Sequence, residues 1–433
     1  MPLVLPSLLW SLLGAAPVTP ESLCAGRAPC RVVEVLDAGG DARGPSPRVV
    51  HLDLGWFSYD DAPEKPGRKL GPGRRAKGSL EEEDCAAAEW WLLTQEPPRL
   101  LLSVCNDGYG GAGRGEDVMK VKNGLLSHMR IGGGGQRWSH TRVWRLSPLE
   151  RVREGHINYL GDGEEPEDSI AWDYTTLQGS RYLGPATCEE GPSAPDKRTL
   201  PFLPRVAMDA AYLEEGWKKV GLGACALTAR SPLLGKPRNA RDASLKALLV
   251  SPDTLILEVR DDVWAPPSEK GWQEDDHIQL WLGRQSPERL TGCGKPEGDE
   301  RPMQWAIRVS DGLVFPAYGP PRGTLAVERV ELRASSGALE GYRLKVKLQL
   351  SRPDFEGLAL VYVDRDGGLK AERMVATSPL KFGRPETLNI PREVPAREAT
   401  CVARGKETEL RVVPTPVPLP APDVSVLPSE PRE

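Results

Sequence analysis

An excess of positive charge is missing from this 433-residue chain: 56 Lys and Arg stand against 61 Asp and Glu, a formal net charge of −5. Without it there is no electrostatic footprint for nucleic acid or for an anionic membrane surface. The apolar run near the N-terminus, residues 3–13, falls short of the roughly 20 residues that span a bilayer. No Cys-x-x-Cys pair and no clustered histidine ligands occur, which argues against a structural zinc site. A serine nucleophile elbow, a glycine-rich phosphate loop and a His-Glu-x-x-His helix are lacking as well. Neither an EF-hand spacing nor an internal repeat of convincing period is found. No catalytic residue is assigned on these grounds.

What the chain has in quantity is turn residues. Its 45 glycines and 42 prolines favour short strands joined by many turns over long helices. The length suits two domains with linkers. The run 3–13 is followed by Gly14, Ala15 and Ala16, and residues 1–19 read as a secretory leader, although no Lys or Arg precedes the run. A mis-set start or a buried N-terminal strand would look the same. Eight cysteines (Cys24, Cys30, Cys85, Cys105, Cys188, Cys225, Cys293, Cys401) fit an exported protein with a few disulfides. Cys24 and Cys30 are close enough for a small loop, and Cys85 could meet Cys105 across a hairpin. Export places the chain outside the cell, in a periplasm or on a cell surface.

The expected organisation is a β-rich N-terminal domain over 24–188, a linker over 189–199, a β-sandwich over 200–395 and a Pro-rich tail over 396–433. The linker expectation rests on Gly191, Pro192, Ser193, Ala194 and Pro195; the tail should be extended and largely solvated. In the first domain, strands are expected at 48–54, 99–105, 118–122, 125–131 and 142–146. Ser79 with Glu82 forms a possible capping box for a helix, while 90–94 reads equally well as a strand.

In the second domain the period-two signal is strong. Leu255, Leu257 and Val259 alternate with Ile256, Glu258 and Arg260; Ile278, Leu280 and Leu282 alternate with His277, Gln279 and Trp281. Both predict half-buried antiparallel strands. Ser310-Asp311-Gly312 predicts a hairpin, and 357–363, apolar on both faces, a central strand. The fold class is therefore all-β, with a jelly-roll-like C-terminal sandwich.

Several segments, taken in order, carry a resemblance. Val206, Ala207, Met208 and Asp209 lead to Trp217; 243–248 and 255–262 follow; then come Asp275, Asp276, His277, Ile278, Gln279, Leu280, Trp281 and Leu282. Tyr362, Val363, Asp364, Arg365, Asp366 and Gly367 form an Asp-rich turn, and Phe382, Gly383, Arg384 and Pro385 close the domain. This order resembles the family 9 carbohydrate-binding module and the wider DOMON-like superfamily, over 200–395 and not beyond. The resemblance implies a sandwich that binds sugar chain ends between aromatic rings, carries structural calcium, and accompanies polysaccharide-degrading enzymes. The first half resembles uncharacterised secreted bacterial proteins, through 104–110, 115–117, 137–139 and 146–149, and that likeness implies no chemistry.

Sugar recognition needs flat aromatic faces for a pyranose and fixed polar groups for its hydroxyls. Trp264 and Trp272 lie in a loop stiffened by Pro266 and Pro267; the competing reading is that both rings cap the end of the core. Trp281, beside Gln279, is either a platform or a packing residue, and Tyr318 is a further loop candidate. Trp217 and Trp305 read as core. Asp261 with Asp262, and Asp275 with Asp276, are candidate Ca²⁺ ligands, or else solvated strand ends; Asp364 and Asp366 read as a turn. DOMON relatives also hold haem through Met and His, for which Met303 and His277 are the available pair. No other cofactor is expected.

A polysaccharide or oligosaccharide partner is thus the leading expectation. A glycosidase would need two carboxylates across a cleft, for which Asn106, Asp107, Glu116 and Asp117, near His128 and His140, are the nearest candidates. Ordinary β-turns have the same composition. A structural envelope protein whose sandwich binds nothing is the third reading.

Overall fold

The computed structural model describes residues 18–27, 30–37, 47–54, 88–93, 98–104, 116–133, 137–147, 149–159, 166–185, 187–188, 191–239, 242–251, 253–264, 266–269, 271–283, 302–319, 323–349, 355–366, 370–381, 387–394, 401–403 and 410–412. The chain forms two units, one of Met1–Glu150 with Tyr159–Glu164, the other of Arg151–Asn158 with Glu165–Glu433. Among the described residues no helix is long and apolar enough to cross a membrane.

In the first unit Arg31–Asp37, Arg48–Asp53, Ala88–Leu93 and Arg99–Val104 make a four-stranded antiparallel sheet. Glu116–Lys122, Leu125–Gly132 and Trp138–Leu146 pair antiparallel in that order. A strand stands at each expected place, and the described part of the ambiguous segment, 90–93, is strand. Residues 79–87, where a helix was the alternative, lie outside the described residues, as do Cys85, Cys105, Asn106, Asp107 and residues 1–17. A core of Val49, Trp90, Leu92, Leu101, Leu126, Trp144 and Leu146 joins the strands. His51 stacks on Trp90 with centroids 4.4 Å apart. Arg27 reaches Glu89 through two hydrogen bonds of 2.8 Å, a fork geometry that fixes both partners. Close by, Cys24 and Cys30 are disulfide-bonded.

The second unit is a sandwich of two mainly antiparallel sheets, in which Asp196–Arg205 pairs parallel with Ser244–Ser251 and with Ile390–Glu393. One contains, in order, Thr324–Arg333, Leu339–Gln349, Thr254–Arg260, Ser244–Ser251 and Asp196–Arg205, followed by Gln178–Leu183 and Pro166–Asp173. The other has six strands: Ser231–Leu234, Arg373–Ala376, Gly357–Asp364, His277–Gly283, Met303–Arg308 and Val314–Tyr318. Between them Leu245, Leu257, Ile278, Leu280, Trp305, Leu344 and Leu360 form the principal core. The hairpin at Ser310-Asp311-Gly312 and the doubly buried strand Gly357–Asp364 match the sequence pattern.

Three expectations need correction. Thr254–Arg260 is not half-buried: every residue from Thr254 to Val259 is inside. Leu255, Leu257 and Val259 face the inter-sheet core, whereas Ile256 belongs to a second core with Phe202, Tyr212, Trp217, Leu248 and Val330. The segment 206–226 and the strand Ile390–Glu393 supply much of that cover, so alternation here selects between two interiors. The linker at 189–199 is instead a short pair, Thr187–Cys188 with Gly191–Pro192, followed by the ten-residue strand Asp196–Arg205. Part of the tail is also anchored, since Cys401 is disulfide-bonded to Cys225 and Leu410–Val412 pairs with Val330–Leu332.

Two aromatic expectations are met. Trp217 and Trp305 are buried, one in each core. At the heart of the second core Arg343 is ion-paired with Glu258 at 3.1 Å and donates to the carbonyls of Trp217 at 3.0 Å and Lys218 at 3.3 Å.

Candidate functional site

The loop between Thr254–Arg260 and His277–Gly283 crosses from one sheet to the other at one end of the sandwich. Its two tryptophans take different directions. Trp264 packs against the principal core, its ring edge-on to Tyr342 at 4.8 Å. Trp272 lies on a short 3₁₀ turn, Trp272–Glu274, entered through Gly271 at φ 137°. A side chain there would be strained, and its Cβ would meet Gln273 Oε1 at 2.9 Å. From that turn Trp272 reaches the outer face of the six-stranded sheet, edge-on to His277 at 4.9 Å and stacked with Phe315 at 6.2 Å and 24°. The two rings therefore do not flank a common groove.

Register places the rest of this face. Gln279 pairs with Ala306, which pairs with Phe315; Trp281 pairs with Gln304, which pairs with Tyr318. Side chains in one register row share a face, and successive rows on that face lie about 6.8 Å apart. Trp272 and Phe315 thus precede Trp281 and Tyr318 by one row, with Gln279 and Gln304 on the neighbouring strands of that face. Tyr318 is 46 % exposed and Trp281 only 5 %. Trp281 serves as floor, packed with Ala359, Val361 and Leu388, its ring 6.4 Å from Tyr318. Phe315, on which Trp272 stacks, was not foreseen; the register of the hairpin with Met303–Arg308 is the signal that could have found it.

A directed hydrogen-bond chain orients the polar groups. His277 Nδ1 contacts the Asp275 carbonyl at 2.7 Å, and a carbonyl only accepts, so Nδ1 carries the proton. Nε2 then accepts from Gln279 Nε2 at 3.4 Å, and Gln279 Oε1 accepts from Trp281 Nε1 at 3.4 Å. Burial pushes the His277 imidazole down to about 4, so it is neutral and this polarity holds at physiological pH. Arg308, beneath Phe315 at 5.7 Å, is tied to Asp275 at 3.0 Å and also to Asp311. Its charge is neutralised by those two carboxylates.

On the inner side of the same crossover is a cluster of carboxylates. Asp242, Asp261 and Asp262 form one group and Asp261, Asp364 and Asp366 another, the ligand atoms of each lying within 4.8 Å of one another. Asp261 accepts from Tyr362 Oη at 2.6 Å and from the Asp262 backbone at 2.8 Å. Asp276 accepts from the Arg365 backbone at 2.8 Å. Arg238 touches Asp366 and Asp242. Asp364 is 1 % exposed, and neither of its oxygens has a hydrogen-bond partner among the described residues. One oxygen each of Asp242 and Asp366 is in the same position.

The energetics of this cluster are unfavourable as it stands. Burial, then the charges of Asp261, Asp366, Asp276 and Asp242, push the Asp364 carboxyl far above its ordinary range. Burial likewise pushes Asp276 up to about 7, helped by Asp261 and Asp366. Asp261 rises to about 6 through burial, against the hydrogen bond from Tyr362. Calcium takes oxygen ligands at about 2.3–2.6 Å, so ligands of one ion lie at most about 5 Å apart. The 4.8 Å limit, the all-oxygen donor set and the unpartnered oxygens fit that ion.

Of the four acids expected to bind metal, the fold brings Asp261 and Asp262 into these groups and sets Asp276 beside them, on the Arg365 backbone. Asp275 is taken by Arg308 and by the Ser268 backbone at 2.6 Å. Asp364 and Asp366, read from sequence as a turn, join it. The haem pair is not assembled: His277 is paired with Arg308 at one end of its strand, and Met303 with Leu282 at the other. Met303 also packs on the core side, while both ring nitrogens of His277 are engaged. Of the hydrolase candidates, His128 is buried between Trp90 and Trp144.

No family model matches this chain, and no curated relative matches it in sequence. Among solved structures, it is similar to a family 9 carbohydrate-binding module from Caldicellulosiruptor kristjanssonii in complex with cellotriose. That alignment has a TM-score of 0.32 and 10% identity, covering 47% of this chain and 99% of that one. A module of the same family and organism in complex with glucose gives a TM-score of 0.29 and 10% identity, over 45% and 96% of the two chains. Both likenesses are weak.

Proposed function

We propose that the second unit is a carbohydrate-binding sandwich whose ligand lies on the outer face of the six-stranded sheet. The observation that carries this reading is the placement of Trp272, Phe315 and Tyr318 on one face, with Gln279 and Gln304 on the neighbouring strands of that face. Ring faces match the apolar side of a pyranose and the amides match its hydroxyls. With Arg308 neutralised by Asp275 and Asp311, the face suits a neutral saccharide better than an acidic one. The carboxylate cluster, in the same reading, holds a calcium ion through Asp261, Asp364 and Asp366, with Asp242, Asp262 and Asp276 at its border. The ion would neutralise buried charge and tie the two sheets together. The disulfides Cys24–Cys30 and Cys225–Cys401, seen among the described residues, support an oxidising, extracytoplasmic location.

Affinity electrophoresis and calorimetry of the full chain with xylan, soluble cellulose and cello-oligosaccharides test the proposal. Retardation by one of these neutral polymers is expected, with Trp272→Ala weakening binding by about tenfold or more, the range of an aromatic anchor. Absence of retardation by all of them, for protein shown to be folded, would remove the reading.

A further inference from the structure

The carboxylate cluster and the aromatic face share one stretch of chain. Asp261 and Asp262 stand where it leaves the first sheet, and Asp276 where it enters the second. Between these ends the loop turns from the core, where Trp264 packs on Tyr342, to the outer face, where Trp272 meets His277 and Phe315. Asp276 and His277 are neighbours that face opposite ways. One accepts from the Arg365 backbone beside the cluster, and the other supports the ring of Trp272.

Asp242 comes from the entry to Ser244–Ser251, and Asp364 from the end of Gly357–Asp364. The cluster therefore draws on both sheets at the end where the loop crosses. Arg238, paired with Asp366 and Asp242, and Arg373, 3.9 Å from Asp242, offset part of the negative charge at that junction, whereas Asp364 has no hydrogen-bond partner among the described residues. Among the described residues, Ser268 bonds Asp275 and Glu274, Arg308 bonds Asp275 and the Ser268 carbonyl, and the turn is closed by the Glu274 and Asp275 N–H groups on the Gly271 and Trp272 carbonyls.

We infer that a divalent cation in the Asp261–Asp364–Asp366 group holds both ends of the Trp272 loop, one through Asp261 and the other through the 364–366 turn whose Arg365 N–H binds Asp276, so that cation and carbohydrate bind with positive, reciprocal coupling. This rests on the carbohydrate reading for its second ligand and on the cluster for its first. The mechanism is pre-organisation. Joining Asp261 and Asp364 through the ion narrows the range of loop conformations, and Trp272 is held on Phe315 before the sugar arrives. Linkage requires the sugar to tighten the cation by the same factor.

Two measurements on the full chain decide it. The first is hydrogen exchange of the peptide covering 266–275 in calcium and in chelator, with calcium binding followed separately by calorimetry. Calcium should bind and slow exchange in this peptide about tenfold. An absence of calcium binding, or binding with exchange unchanged, would overturn the inference. The second is calorimetric titration of cellotetraose with and without calcium, and of calcium with and without cellotetraose. A matching gain of about tenfold in both directions is expected, abolished in Asp364→Asn and in Asp261→Asn. Equal sugar affinity in calcium and in chelator would sink the coupling while leaving the carbohydrate reading intact. No binding of cellotetraose in either condition overturns the sugar half of the inference, while the carbohydrate reading itself falls only with failure of all the polymers, and the exchange result then stands alone as the test of the clamp.

Discussion

Replacing Arg343 by Met tests whether the buried ion pair behind the sandwich is what secures the covering segment. Glu258 and Arg343 sit on adjacent strands, paired in register, and both are buried. Arg343 Nη2 and Nε lie 3.1 Å and 3.3 Å from Glu258 Oε2, and Nη1 donates to the Trp217 and Lys218 carbonyls. Met keeps most of the volume but leaves Glu258 with Arg260 as its remaining cation, at 3.0 Å, and leaves two carbonyls without their donor. Breaking one side of a buried pair costs about 3–5 kcal/mol; Arg260 holds the expected loss near the lower figure. For a unit of this size that is a fall in Tm on the order of 10 °C.

The double variant Arg343→Met with Glu258→Leu removes the stranded charge and should recover most of the loss, giving a coupling of about 2–3 kcal/mol. Urea unfolding of the parent, both single variants and the double variant supplies the cycle. A single-variant loss below about 1 kcal/mol, or strict additivity, would refute the claim that the pair acts as a unit. Acid adds a second readout. Burial pushes the Glu258 carboxyl up, but Arg343 and Arg260 outweigh it and leave it below its ordinary value. A depressed acid contributes stability that is full above its unfolded pKa and is lost as pH falls through the folded one. The parent should therefore lose this contribution below about pH 4, and the double variant should have none to lose.

Other outcomes follow from the same structure. Trp264→Ala should cost about 2–4 kcal/mol in urea unfolding through the void it leaves against Tyr342, whereas Trp272→Ala should cost sugar affinity and little stability. Cation-free protein should lose stability as pH rises from about 4 to 8. Asp261, Asp276 and Asp364 keep their protons in the folded state after the unfolded chain has released them. Thermal melts in chelator should show that slope, and millimolar calcium should flatten it. Cys401→Ser removes a cross-link of sequence separation 176, for which chain entropy gives about 5 kcal/mol; a drop in the urea midpoint below that of the parent is the expected reading.

Much of the fold was legible because a strand's side chains alternate, and alternation survives in sequence. Ile278, Leu280 and Leu282 face the core as their spacing required, and the turn at Ser310-Asp311-Gly312 closes the hairpin it predicts. Ile256 and Glu258 were misread because a period of two says only that neighbours point opposite ways. It cannot say whether the second side meets water or another layer, here the segment carrying Tyr212 and Trp217. The candidate site was legible in part. Trp272 and Gln279 were visible as loop and strand-face residues; Phe315 became a partner of Trp272 only through the register of a neighbouring hairpin.

Alternation and turn residues are enough to make this chain all-β, to concentrate its loop tryptophans and strand-end aspartates at 261–281, and to group the residues of each strand by face. That Trp264 goes to the core while Trp272 goes to the outer face follows from packing alone. Packing also brings Asp364 to Asp261, whose hydrogen bond to Tyr362 spans 101 residues of chain. The reason is physical. Local sequence sets the direction of a side chain along its own backbone, whereas charge clusters and aromatic platforms are made by strands from distant segments meeting in register.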